Sequence, residues 1–493
     1  MRIIKGDDFM GKIKKLMSLA TLSALTTSLF LTGCGNKTVT TSGEEGDKPV
    51  NLTWYTIGSE PVELEKVQEE ANKYIKEKIN ATIDMKFVDY GDYNEKMSVI
   101  INSGEDYDLA FTCSWAGDYI GNSRRGAFLE LDQYLDTVGK DMKEAIDQRF
   151  WDGAQIEGKT YAVPNQKELG VQPMWVFTKE YVDKYNIPYQ DIKTLEDLEP
   201  WLKVIKENEP DVVPLYLEKE LSPPQEFDFL LEPLGVEYED DSLTVKNIFE
   251  TDKYVETLKT LRKYNEAGYI NADASITNAD TTVKRFVSKA DGQPYAEGLW
   301  STTFGYDVVA TPIMDTHITS ASTTGSMIAV SKNSKNPEKA VEFLNLLNTD
   351  EYLRNLINYG IEGVHYELTD EGTVRKTTEQ KKQYDVSYFS VGNLFLTYPL
   401  EGEPATKWEE FEKFNAEAKV SPALGFKFNP ENVSTEVSAL NNAYREFRSM
   451  LITGSVDIDE YIGKLNEKLN AQGLEKVKAE MQKQLDEWAK SNK

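Results

Sequence analysis

Aromatic rings and carboxylates are the side chains that this sequence offers for chemistry. It contains 8 Trp, 26 Tyr and 20 Phe residues and 83 acidic residues, but only two histidines and two cysteines. Rings bind by stacking and carboxylates bind by accepting hydrogen bonds, so the composition favours noncovalent binding. A zinc or transition-metal site is built largely from His and Cys ligands, and we therefore predict no metal and no cofactor.

No catalytic motif accompanies these side chains. The sequence lacks a G-x-S-x-G elbow, a P-loop and an H-E-x-x-H pair, and Asp457 and Asp459 do not continue into an EF-hand loop. A glycosidase needs two carboxylates at a defined distance from each other. With so many acidic residues, the sequence alone does not reveal such a pair. We predict no catalytic residue, and a surface enzyme acting on glycosides stays open as an alternative.

The N-terminal segment has the pattern of an export signal. Three lysines precede an apolar run at 16–31, which is too short to favour a membrane span. Leu-Thr-Gly-Cys at 31–34 resembles the bacterial lipobox, which implies a signal peptide at 1–33 and a lipid on Cys34. The polar stretch 34–48 then predicts a flexible tether on the extracytoplasmic face of the cell membrane. A plain secretory signal with a chance cysteine is the alternative.

Charge and length limit the possible partners. The formal net charge is −28, and an acidic surface repels nucleic acid and argues against polyanionic ligands. The 460 residues from Cys34 to Lys493 are too many for one ordinary core, so two or three domains are expected. With a lipid on Cys34, Cys113 has no partner for an intramolecular disulfide.

The elements that must position the rings and carboxylates begin at Val50. Alternating strand and helix patterns from there to Ser114 predict a β-α-β-α-β unit and a mostly parallel sheet. Ligands of such sheets bind beyond the carboxyl ends of the strands. The loops after the first and third strands therefore supply candidates, namely Glu60, Trp115 and Asp118. Glu60 could instead complement the dipole of the following helix.

Several longer segments resemble one family. The segments are GKTYAVP (158–164), MWVFTKEYVDKY (174–185), TLEDLEPWLKVIKENEPDVVPL (194–215) and the stretch 331–366. They are similar to segments of the family 1 extracellular solute-binding proteins, the receptors of bacterial ABC importers. The segments 359–366, 392–400 and 421–444 are similar to a C-terminal domain of unknown function found in lipoproteins of Gram-positive bacteria.

The resemblance implies an α/β, two-lobe periplasmic-binding-protein-like fold of type II, with a hinge and extra C-terminal helices. On that basis we expect lobe 1 at 49–165 plus about 328–375, and lobe 2 at 166–327 plus about 376–493. We further expect a monomer that captures an oligosaccharide in the cleft between the lobes and delivers it to the permease subunits of an ABC transporter.

A sugar site needs flat rings against C–H faces and polar groups for the hydroxyls. GLWSTT resembles the place where a maltose-binding relative has a stacking tryptophan, which makes Trp300 a candidate, although a core tryptophan is the alternative. The other candidate contacts are Trp115, Asp118, Glu60, Gln166, Glu168, Tyr359 and Glu362. A receptor for peptides or another nutrient, and a sensor that presents its ligand to a kinase, stay open beside the sugar receptor.

Overall fold

The computed structural model describes residues 48–491. The expected signal peptide at 1–33, the lipid acceptor Cys34 and the tether up to residue 47 lie outside the described residues.

Strands and helices alternate through the described chain. The strands are β1 (Val50–Ile57), β2 (Ala81–Val88), β3 (Leu109–Thr112), β4 (Ala162–Pro164), β5 (Gln172–Thr178), β6 (Val213–Leu215), β7 (Phe227–Leu231), β8 (Leu234–Glu237), β9 (Lys246–Asn247), β10 (Arg285–Gly292), β11 (Val308–Pro312), β12 (His317–Ile318), β13 (Met327–Val330), β14 (Glu367–Leu368), β15 (Val374–Arg375) and β16 (Lys419–Val420).

The α-helices are α1 (Leu64–Ile79), α2 (Tyr93–Ser103), α3 (Tyr119–Arg124), α4 (Asp132–Leu135), α5 (Lys140–Ala145), α6 (Gln148–Ala154), α7 (Lys179–Tyr185), α8 (Leu195–Asn208), α9 (Asp252–Glu266), α10 (Ala296–Phe304), α11 (Ser320–Thr323), α12 (Pro337–Thr349), α13 (Glu351–Tyr359), α14 (Thr378–Gln383), α15 (Lys407–Glu417), α16 (Ser434–Ile452), α17 (Ile458–Ala471) and α18 (Leu474–Ser491). Short 3₁₀ turns lie at Tyr189–Asp191, Ile248–Glu250, Tyr388–Ser390, Leu394–Leu396 and Glu431–Val433. Among residues 48–491, none of the helices has the length and apolar character that a membrane span requires.

The first sheet has the strand order β2-β1-β3-β13-β4 and begins with the predicted β-α-β-α-β unit. Strand β1 runs parallel to both β2 and β3, whereas β13 returns antiparallel to β3 and β4. Helices α1, α12 and α13 cover one face of this sheet. The first core contains, among others, Leu52, Trp54, Ile83, Leu109, Ile328, Val330, Phe343 and Leu344, each at most about one per cent exposed.

The second sheet has the order β11-β5-β10-β6 and forms a separate core. Strand β5 pairs antiparallel with β10 and β11, and β6 pairs parallel with β10. The apolar faces of the three C-terminal helices pack into the same core as this sheet, because Leu440, Leu465, Met481 and Leu485 are buried together with Phe177, Phe286 and Leu202. The C-terminal helices therefore complete the second core rather than forming a third.

Three segments connect the two cores, and they hydrogen-bond to one another. We call 169–172, 313–319 and 418–421 the crossing segments. Val171 and His317 exchange backbone hydrogen bonds of 2.9 and 3.1 Å, and β12 pairs parallel with β16. Gly170 suits the close approach of the first two segments, because a Cβ atom there would lie 2.3 Å from Cγ2 of Thr316.

The core boundaries differ from the lobe boundaries expected from the sequence. Tyr384, Val391 and Ala418 are buried in the first core, although the chain beyond about 376 was expected in lobe 2. The physical reason is that this segment is tied to α13: Tyr384 donates a hydrogen bond of 2.8 Å to the carbonyl oxygen of Ile357, and Arg354 donates one of 2.8 Å to that of Tyr388. Ile318 likewise joins the first core before residue 328.

Candidate functional site

A cavity of about 500 Å³, here called the cleft, is lined by residues that lie beside the first core, beside the second core and in the crossing segments. The first-core side contributes Ser114 and Trp115 after β3, together with residues of α11 and the pair Tyr388 and Phe389. The second-core side contributes the end of β10 and the residue after it, at 291–293. The stretch 167–171, which enters the first crossing segment, joins the two sides.

Aromatic rings form the first-core wall of the cleft, and one further ring, that of Tyr90, lies next to this wall. Trp115 is 50% exposed, and its ring stacks near that of Tyr90, with centroids 6.5 Å apart and planes 20° apart. Phe389 meets Trp115 edge-on at 6.2 Å, and Tyr388 stands perpendicular to Phe389 at 5.8 Å. Tyr90 and Tyr388 are 49% and 40% exposed. A concave surface with this much uncovered ring area is suited to bind the apolar face of a ligand.

A tight turn after β3 holds Trp115 in place. The backbone N–H of Cys113 donates a 2.8 Å hydrogen bond to the carbonyl oxygen of Ala116, and Gly117 takes a φ of +72° where a Cβ atom would press on Phe111 and Thr112. Cys113 itself is buried, and burial raises the pKa of its thiol to about 11. The thiol therefore stays protonated at neutral pH and serves packing rather than nucleophilic chemistry.

Polar groups lie opposite and beside the rings. Lys167 and Glu168 form an ion pair in the lining of the cleft and are both largely buried. Asp291 is half exposed on the second-core side, where Lys289 lies 2.7 Å from its carboxylate. Gln293 follows on the same side. Carboxylate and amide oxygens accept hydrogen bonds and the amide and lysine N–H groups donate them, so the cleft can satisfy hydroxyl groups as well as ring faces.

A second cavity of about 230 Å³, the side pocket, opens from the cleft. The two cavities share Glu168, Gln293 and Tyr388. The wall of the side pocket is mostly aromatic and aliphatic, and includes Pro294, Tyr295, Leu299, Tyr359, Trp408 and Phe411. Trp408 is fixed by a 2.5 Å hydrogen bond from its Nε1 to the carbonyl oxygen of Thr397, and the partly buried pair Lys407 and Glu403 lies beside it at 2.7 Å.

The structure brings three of the predicted contacts to these cavities. Trp115 and Glu168 line the cleft, and Glu168 and Tyr359 line the side pocket. The Tyr359 hydroxyl donates a 2.8 Å hydrogen bond to the carbonyl oxygen of Tyr398, and burial raises its pKa. Asp118 lies in an outer groove next to Trp115, where its carboxylate caps α3 and contacts Arg125 at 2.9 Å.

The other predicted contacts lie away from the lining. Gln166 is buried, and its Oε1 accepts a 2.9 Å hydrogen bond from the backbone N–H of Asp147, so its amide is used within the protein. Glu60 is exposed and precedes α1 without lining either cavity, and Glu362 is exposed after α13. Trp300 lies on α10 behind Gly292, where a Cβ atom would be 2.8 Å from its ring. Ligand contact by Trp300 stays a prediction.

Four residues were not predicted from the sequence: Tyr388 and Phe389 in the cleft, Tyr90 beside it, and Lys376 in the lining of the side pocket. A signal existed for Tyr90, because it follows β2, which is parallel to β1 and ends at the same edge of the sheet. The other three belong to the stretch after 375, where no strand or helix periodicity marks a position. Within residues 48–491, no group of three or more His, Cys, Asp or Glu side chains is arranged to hold a metal ion.

Comparison with known sequences decides the family. The family described as bacterial extracellular solute-binding protein matches residues 58–353, and a domain of unknown function, DUF3502, matches residues 422–490. The chain belongs to the bacterial extracellular solute-binding proteins. The resemblance seen in the sequence is thereby confirmed, including the C-terminal domain of the subgroup.

Individual solute-binding proteins match over nearly the full length. A carbohydrate ABC transporter substrate-binding protein of Streptococcus pneumoniae is 37% identical over 492 residues, covering 97% of this chain and 99% of that protein. The crystal structure of the N-glycan transport solute-binding protein NgtS from S. pneumoniae has a TM-score of 0.85 at 37% identity, covering 90% of this chain and 100% of that chain. Its complex with Man5GlcNAc has a TM-score of 0.72 at 38% identity, covering 90% and 99%.

The fold is accordingly the two-lobe α/β fold of these solute-binding proteins. Membership in this extracellular family means that the protein works outside the cytoplasm. The relatives are binding proteins of transporters rather than enzymes.

Proposed function

We propose that this protein is the lipid-anchored receptor of an ABC importer, that it captures an oligosaccharide in the cleft, and that it delivers this ligand to the permease. One observation carries the proposal: the exposed rings of Trp115 and Tyr388 line a cavity that also contains carboxylate, amide and lysine groups, and the exposed ring of Tyr90 stacks near Trp115. Rings cover the C–H faces of sugars while polar groups bind the hydroxyls, so this wall suits a carbohydrate.

The relatives support the same class of ligand. NgtS is described with Man5GlcNAc bound and is 38% identical across 99% of its chain. We propose that this chain also binds a glycan of several sugar residues, because the cleft and the side pocket together offer more room than one ring needs.

We propose that binding closes the two lobes. Lobe 1 would comprise 48–169 with 319–417 and lobe 2 would comprise 172–313 with 421–491, and the crossing segments between them would bend. A ligand that contacts Trp115 on one side and Gln293 on the other would favour the closed state, because it would make more contacts in the closed state than in the open one. The lower TM-score against the NgtS complex, 0.72 compared with 0.85, supports a conformational difference of this kind.

A lipid anchor on the receptor is the last feature that we propose. Lipid on Cys34 would keep a monomeric receptor at the membrane, where it meets its permease by diffusion in two dimensions. An affinity near a micromolar, about −8 kcal/mol, would suit both capture and release. We expect the bound glycan to leave the receptor chemically unchanged.

Titration calorimetry of the mature protein against a panel of oligosaccharides and peptides tests the proposal. We expect heat of binding from at least one oligosaccharide, with no new saccharide detected by mass spectrometry after incubation. Binding of peptides with no response to any glycan would contradict the sugar assignment, and cleaved glycan would contradict a pure binding role.

A further inference from the structure

One lysine lines the side pocket and does not line the cleft. Lys376 follows β15 and is half buried among Tyr359, Tyr384 and the pocket wall. Its Nζ donates a 2.6 Å hydrogen bond to the carbonyl oxygen of Tyr384 and a longer one of 3.5 Å to that of Tyr359. The same ammonium lies 6.0 Å from the centroids of both tyrosine rings. Two N–H groups are thus used, and one is left for the pocket.

Lys376 differs from the other partly buried lysines near it by having no ionic partner. Lys407 contacts Glu403 at 2.7 Å, and Lys167 contacts Glu168, whereas no carboxylate of residues 48–491 lies within ion-pairing distance of the Lys376 Nζ. Burial lowers the pKa of Lys376 to about 8, so the ammonium is still the main form at neutral pH. A half-buried ammonium bound only to neutral carbonyl groups leaves its charge poorly compensated.

The other charged side chains that line the side pocket do not neutralise the ammonium group of Lys376. Lys381 also faces the pocket, and Asp385 is the carboxylate that attracts Lys376 from a distance. Once the pairs of Glu403 and Glu168 are set aside, two lysines face one carboxylate. The lining of the pocket contains as many lysines as carboxylates, so it lacks the acidic excess of a protein with a formal net charge of −28.

We infer that the side pocket is a subsite for a sugar residue that bears a carboxylate, and that Lys376 determines this specificity. The inference rests on the proposed oligosaccharide-binding function and names part of its substrate class. A carboxylate in the pocket would form a charge-assisted hydrogen bond to the free N–H of Lys376 in a partly dehydrated site. The ring of the same sugar would pack on the wall formed by Tyr295 and Trp408. Because the protein surface is acidic, we expect the bound glycan to carry a single carboxylate rather than to be a polyanion.

Matched pairs of glycans test the inference on the intact mature protein. Each pair consists of an oligosaccharide that ends in a uronic or sialic acid and the same molecule with its carboxyl group reduced to a primary alcohol, so that size is kept. Calorimetry near neutral pH should show that the acidic member of at least one pair binds about tenfold more tightly. Lys376→Met should bring the ratio close to one while the reduced glycan keeps its affinity.

Two controls separate charge recognition from a folding defect. Lys382→Met, on α14 and paired with exposed Glu379, should leave the ratio as in the wild type. Lys376→Arg keeps the charge and should restore part of the preference. Equal binding of both members of every pair would overturn the inference and leave the proposed function standing. An unchanged preference in Lys376→Met would overturn the role of Lys376, and silence across all glycans would overturn both proposals.

Discussion

The indole Nε1 of Trp115 donates a hydrogen bond of 2.9 Å to the backbone carbonyl oxygen of Gly325. This contact joins the turn after β3 to the segment that precedes β13, and it fixes the orientation of a half-exposed ring that lines the cleft. Because the polar edge of the indole is already satisfied, its remaining surface can pack on a ligand without leaving a buried N–H unpaired.

Removal of that ring should reduce ligand binding more than folding. Trp115→Ala is expected to weaken oligosaccharide binding by about 2 kcal/mol, roughly thirtyfold, because a central aromatic contact is lost. The unfolding midpoint should change little, since half of the ring is already exposed. Titration calorimetry and thermal unfolding measure the two effects. Tyr352→Ala provides the control, because Tyr352 is 49% exposed on α13 and lies outside both cavities. Equal losses of affinity in both variants would contradict the role of Trp115.

The first part of the fold and one wall of the site follow from the sequence. Regular alternation of apolar residues predicts the β-α-β-α-β unit, and the rule for the carboxyl ends of strands leads to Trp115. Tyr388 could not be predicted in this way, because its position depends on Arg354, which is distant in sequence and donates to its carbonyl oxygen. Gln166 has the right residue type and lies near a crossing segment, but its amide is used by Asp147, which only the tertiary structure reveals.

Gly170 should be required for close packing of the crossing segments. Gly170→Ala is expected to lower the free energy of unfolding by about 1–3 kcal/mol, because the added Cβ would meet Thr316 at 2.3 Å and the carbonyl oxygen of His317 at 3.2 Å. Urea unfolding provides the measurement. Gly463→Ala is the control, since Gly463 lies in α17 with open space around its Cβ position and should gain about 0.5–1 kcal/mol. A Gly170→Ala protein as stable as the wild type would show that these segments pack more loosely than the structure indicates.

Asp228 should make stability depend on pH. Its carboxyl group is 3% exposed and accepts a 2.6 Å hydrogen bond from the hydroxyl of Ser421, and burial raises its pKa to about 6. Since the folded protein holds this proton more tightly than the unfolded chain, the stabilising effect is complete below the unfolded pKa of about 4 and is lost as pH rises through 6.

In the wild type, the free energy of unfolding should therefore decrease by about 2–3 kcal/mol between about pH 4 and pH 7. Asp228→Asn should abolish this decrease. Denaturant titrations across this range compare the variant with the wild type. Buried Lys427, whose pKa burial lowers to about 7, attracts the ionised Asp228 and keeps the pKa of that carboxyl group from rising further. Exposed Glu226→Gln should keep the wild-type profile. An identical pH dependence in Asp228→Asn and the wild type would contradict the assignment.

Cys34 should determine where the protein resides. Cys34→Ser is expected to move the protein from the membrane fraction to the medium, because each buried CH₂ of an acyl chain contributes about 0.8 kcal/mol to membrane binding. Labelling of growing cells with a tagged fatty acid should mark the wild type and Cys113→Ala, and should not mark Cys34→Ser. Labelled Cys34→Ser, or a wild-type protein that stays unlabelled in the medium, would contradict lipid anchoring.

A crystal structure of the mature protein with the oligosaccharide that binds it most tightly in calorimetry tests oligosaccharide capture most directly. The expected result is a glycan between the lobes, with sugar rings against Trp115 or Tyr388, a polar contact from Gln293, and the two cores closer together than in the structure described above. A glycan bound outside the cleft and the side pocket, or a cleft occupied by a peptide in preference to the glycan, would contradict it.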